Sequence, residues 1–119
     1  MHILRKPMYD IKWIYDTTMQ PASCIAKLIQ LPESNPYLRS GFSCSQLSDR
    51  QVEIVLKQPK SGEGRPKRTR YIAEFYPIEN GQTVIVLRFV DELFWMPPFT
   101  PIEEMDGLFS QILQASRRK

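Results

Sequence analysis

His2, Cys24, Cys44 and the acidic pairs Asp91-Glu92 and Glu103-Glu104 are the side chains from which this 119-residue chain would build a catalytic or metal site. His2 is the one histidine. It sits near a terminus, where chains fray, so a histidine general base is not expected. The cysteines have neither CxxC spacing nor a nearby histidine partner, and they read as buried free thiols, not as a disulfide or a metal pair. Residues adjacent in sequence point in different directions. The two acidic pairs therefore read as a solvated strand end and a first helical turn that complements the helix dipole. The glycine-containing stretch "SGEGRPK" lacks the strand-to-helix setting and the Lys-Ser or Lys-Thr ending of a phosphate loop. No catalytic residue, metal or cofactor is expected from these groups, and the chain reads as non-enzymatic.

Charge is the clearest chemical asymmetry. Between Lys57 and Arg70 there are six cations (Lys57, Lys60, Arg65, Lys67, Arg68 and Arg70) against one anion, Glu63. From Tyr71 to Ser116 a single cation, Arg88, faces seven anions, so the formal net charge of +3 conceals two opposed fields. A basic stretch of this kind could follow the phosphates of a nucleic acid or the headgroups of an anionic surface. It could equally be a solubilising hairpin loop, because aromatic residues are not interleaved with the cations.

The second feature is "FWMPPF", Phe94 to Phe99. Two prolines stop a strand from continuing and fix φ, so this stretch takes the chain off a sheet and turns it across the sheet face. With Phe89, Phe94, Trp95, Phe99, Met105 and Phe109, the region carries an aromatic and methionine stripe. Such a stripe either lines an apolar groove or simply fills a core.

The surrounding elements follow from periodicity. Tyr9, Ile11, Trp13 and Tyr15 alternate with polar residues as in a half-buried strand. Pro21 suits the first turn of a helix whose apolar face is Ile25, Leu28 and Ile29, with Pro32 as its end. "FSCSQL" and "QVEIVLKQ" form a hairpin that buries Val52, Ile54 and Leu56. Residues 59–67 have no apolar side chain and read as a flexible basic loop. "RTRYIAEFYPI" and "TVIVLRFV" form a second hairpin around Asn80-Gly81, which tolerate positive φ, and the latter strand is apolar enough to be central. Thr100, Pro101 and Glu103 mark the start of a long amphipathic helix, with Arg117, Arg118 and Lys119 at its C-terminal end.

The expected fold is one α+β domain over 1–119: a single antiparallel sheet of about five strands, with an N-terminal helix and a long C-terminal helix on one face. The composition, 42% hydrophobic and 24% charged, fits a globular domain. The charged N-terminal stretch has neither a signal-peptide core nor a spanning segment, so a cytoplasmic location is expected.

The "YLRSGFSCSQLSDRQVEIVLKQ" hairpin, the "YPIENGQTVIVLRF" hairpin and the helix from Thr100 together resemble a shortened START-like, or helix-grip, domain. That resemblance implies an apolar ligand held without catalysis between sheet and C-terminal helix. The first functional expectation is therefore a non-enzymatic binding domain with an apolar groove for a small apolar molecule or a protein partner. The alternative is nucleic-acid or anionic-surface binding through residues 57–70.

Overall fold

The computed structural model describes residues 12–31, 41–57, 68–90 and 102–118. In chain order the elements are β1 (Lys12–Thr17), α1 (Pro21–Ile29), β2 (Gly41–Ser48), β3 (Gln51–Lys57), β4 (Arg68–Pro77), β5 (Thr83–Val90), α2 (Ile102–Leu113) and β6 (Ser116–Arg117). The strands form one antiparallel sheet in the order β2-β3-β4-β5-β1-β6. β2 to β5 are a simple meander. β1, the first described element, lies between β5 and β6.

Alternation places one residue in two on the helix-bearing face. Tyr15, Phe42, Val52, Ile54, Leu56, Tyr71, Ala73, Phe75, Ile85 and Leu87 are buried there. Cys24, Ile25 and Leu28 of α1 and Met105, Leu108, Phe109 and Leu113 of α2 complete one core. Each large side chain so buried contributes roughly 1.5–3 kcal/mol. The two hairpins have different turns. Asp49 and Arg50 separate β2 from β3, whereas Asn80 (φ 67°) and Gly81 (φ 72°) supply the left-handed backbone between β4 and β5.

The opposite face is polar at its centre. Glu74 accepts hydrogen bonds from Gln51 (2.9 Å), Tyr76 (2.9 Å) and Arg88 (3.2 Å), and Arg70 pairs with Glu53 at 2.6 Å. Partial burial alone would raise the Glu74 carboxyl. The hydrogen bonds from Gln51, Tyr76 and Arg88, with the Arg88 charge, outweigh it and hold the carboxyl below its ordinary pKa.

The C-terminal end differs from the sequence expectation. α2 spans 12 residues and stops at Leu113, and Arg117 does not extend it. Gln114 takes a left-handed φ of 54°, the Ala115 N–H turns back to the Phe109 carbonyl (3.2 Å), and the chain enters β6. β6 is the strand beyond the five expected, pairing Ser116 with Asp16 and Arg117 with Tyr15. The helix end is satisfied instead by the buried Thr17 hydroxyl, which donates to the Leu113 carbonyl at 2.6 Å. Arg117 reaches Asp106 (3.1 Å), and Arg118 makes two 2.8 Å bonds to Asp16. Arg117 and Arg118, expected to complement the helix dipole, thus bind specific carboxylates, and Lys119 lies outside the described residues. α1 is also shorter than its pattern, ending at Ile29 before Pro32 is reached. Thr100, Pro101, Pro32 and the loop 59–67 lie outside the described residues.

Candidate functional site

The register brings both sequence-derived candidates to one end of the sheet. Lys57 stands opposite Arg68, Arg70 opposite Val90, and Tyr71 opposite Phe89, while Trp13 stands opposite Leu87. The start of β1, the end of β3, the start of β4 and the end of β5 therefore share one boundary. Adjacent strands alternate in direction, so residues far apart in sequence meet there.

On the helix face of this boundary is a row of three aromatic rings. Tyr71 on β4 is fully buried, and towards β5 and β1 its ring meets those of Phe89 (6.1 Å) and Trp13 (6.0 Å). Trp13 and Phe89 are only half-buried and rest against the core. The arrangement follows from the two-residue period: Trp13 continues the inward series that includes Tyr15 and Thr17, Tyr71 that of Ala73 and Phe75, and Phe89 that of Ile85 and Leu87. The rings are edge-on or tilted, spacings that favour aromatic pairs.

α2 lies over the same face. The Tyr15 hydroxyl donates to Asp106 at 2.7 Å, the Tyr15 ring meets Phe109 at 4.8 Å, and Thr17 holds Leu113. Residue number along α2 thus rises from the Tyr15 level to the Thr17 level, which directs the first turn of α2 towards the Trp13 end. Burial, followed by the Asp106 hydrogen bond and charge, raises the Tyr15 phenol well above its ordinary pKa and keeps it neutral. In the first turn of α2, Glu104 has one carboxylate oxygen, Oε1, buried without a hydrogen-bond partner among the described residues.

Of the predicted groove residues, Met105 and Phe109 are fully buried core residues, and Phe89 is the one at the surface of the core. Phe94, Trp95 and Phe99 lie outside the described residues. Trp13 and Tyr71 join Phe89 although neither was predicted to line the site. Of the basic residues, Lys57 and Arg68 are cross-strand neighbours, Arg70 is ion-paired to Glu53, and Lys60, Arg65 and Lys67 lie outside the described residues.

The chain matches no protein family, no curated protein and no solved structure.

A concavity not anticipated from the sequence is an open cleft of about 450 Å³ between α1 and the far end of β2. Ala22, Ile25, Ala26, Ile29, Gln46 and Asp49 line it. Both cysteines are free: Cys24 is buried, and Cys44 is half-buried. Burial pushes their thiols up to about 11 and about 12, respectively, away from the range of a reactive thiolate. Among the described residues no cluster of histidine, cysteine and carboxylate groups could hold a metal, and no helix is long and apolar enough to cross a membrane.

Proposed function

We propose that this protein is a non-catalytic binding domain that receives an apolar group, from a small molecule or a protein partner, at the aromatic mouth between the sheet end and the first turn of α2. The observation that carries the reading is that Trp13 and Phe89, each in ring contact with the buried Tyr71, keep part of their surface accessible at the sheet end. Aromatic surface still accessible beside a rigid core offers an apolar contact at little ordering cost.

Titration of a chain carrying Trp95→Phe with decanol tests this reading, because Trp13 is then the sole tryptophan. A saturable change in Trp13 emission is expected, insensitive to salt. A linear response without saturation would refute it.

A second reading has one observation in its favour. The register sets Lys57 opposite Arg68 at the same sheet end, so two cations of the basic stretch stand at paired positions on adjacent strands. Phosphate-driven binding weakens steeply with salt, whereas apolar binding does not. Retention on heparin that is lost between low and moderate salt, without any decanol response, would favour this reading over the first.

A further inference from the structure

The two edges of the sheet are unlike. At one edge β6 is two residues long and is followed by Arg118, which bonds Asp16, so this edge is short and charged. At the other, β2 is eight residues long, and its sequence "GFSCSQLS" contains no charge and no proline. Among the described residues nothing pairs with the outer side of β2. Long neutral edges are templates for a further strand, and proteins ordinarily blunt them with charges, prolines or bulges. The one irregularity here lies between Gln46 and Ser48, close to the turn, and leaves Gly41–Gln46 in regular register.

Directly above this edge lies the α1 cleft. α1 is the helix nearest β2, and its Ala22, Ala26 and Ile29 line the cleft together with Gln46 and Asp49. Ile29 is 41% exposed and Leu47 50% exposed. Lys27, the one charged residue of α1, lines the opposite groove, against Gln111 and Ile112 of α2. The β2 side of the molecule thus has two open layers, a strand edge below and an apolar helix flank above.

We propose that a second copy of this chain occupies this side, with β2 pairing antiparallel to β2 of the partner across a twofold axis perpendicular to the sheet. An isolated strand would satisfy the edge but leave the α1 flank bare. A filling occupant needs a strand with a helix layered above it at the same spacing and on the same face, which a twofold-related copy supplies by construction. The patch must also complement itself: the strand and the helix flank carry no charge, and Asp49, the one charged residue lining the cleft, stands beyond Gln46, so an axis at Ser43 or Cys44 sets its two copies at opposite ends of the interface and not against each other. Small residues at Ala22 and Ala26, one helical turn apart, let the two α1 helices approach closely. Register is restricted by parity. Opposed residues must face the same side of the continuous sheet, so the axis passes through Ser43 or Cys44 and not between them.

Sedimentation equilibrium of the full chain tests this proposal, independently of any ligand at the aromatic mouth. The expected mass is twice the 14.0 kDa of one chain. Ser43→Lys/Ser45→Lys, which charges the edge, and separately Ile29→Glu, which charges the α1 flank, are each expected to give single-chain mass with an unchanged circular dichroism spectrum. A single-chain mass for the unaltered protein up to millimolar concentration overturns the proposal. So does a dimer that survives both sets of substitutions, or open-ended assembly in place of a closed pair.

Discussion

At the scale of single residues, a few hydroxyl and carboxylate groups fix where elements end. Thr17 is buried, and its hydroxyl both donates to the Leu113 carbonyl and accepts the Met19 N–H (3.0 Å). Thr17→Val keeps the shape but strands both groups, and should lower stability by about 1–3 kcal/mol in urea denaturation. An unchanged midpoint would mean that water replaces the hydroxyl. Glu74 makes stability depend on pH. Its folded pKa lies below the ordinary 4.5, so its contribution is full above that value and is lost as pH falls through the lower folded value. Between pH 7 and pH 3 the unaltered protein should therefore lose more stability than Glu74→Gln, and equal losses would contradict the assignment. The cysteines should be inert for the converse reason, since burial disfavours their thiolates. At pH 8 a disulfide reagent should label Cys24 and Cys44 slowly in the folded protein and rapidly in urea. Fast labelling of the folded protein would show that the core opens there.

At the scale of elements, two glycines make opposite predictions. Gly107 lies within α2 with open space where a Cβ would stand, so Gly107→Ala should stabilise by about 0.5–1 kcal/mol through backbone entropy. Gly81 has φ +72°, and Gly81→Ala should destabilise by about 1 kcal/mol for the left-handed backbone alone. Thermal midpoints moving in the same direction would show that helix or turn is misplaced. The strands were legible in the sequence because Val52, Ile54 and Leu56, or Tyr71, Ala73 and Phe75, alternate cleanly with polar neighbours. The turn at Asn80-Gly81 was legible because those residue types tolerate positive φ. The end of α2 was not. Gln114 is not a residue type that announces a left-handed stop, and the cations that follow imitate a helix C-terminus. A two-residue strand such as β6 carries no period to read. At the candidate site Phe89 was legible as part of an aromatic stripe, whereas Trp13 and Tyr71 were not, because they join it through strand register. Met105 and Phe109 read as either groove wall or core filling, and the apolar stripe of α2 faces the sheet and places them inside the core.

At the scale of the whole molecule, the sheet has one end and one edge that no strand or helix among the described residues covers, and the two serve separate purposes. The end carries Trp13, Tyr71 and Phe89 beside the paired Lys57 and Arg68, and β3 stands between Tyr71 on β4 and the β2 edge. Ligand binding and self-association should then be separable, with Ile29→Glu abolishing the dimer while leaving the Trp13 response to decanol intact. Loss of both together would join the two surfaces into one. The central claim, that the aromatic mouth is the binding site, is tested most directly by mapping amide NMR shifts of the full chain during titration with decanol. The account predicts saturable shifts concentrated in residues 12–15, 69–73, 87–90 and 102–106. Shifts concentrated in α1 and β2, or none that saturate, would contradict it.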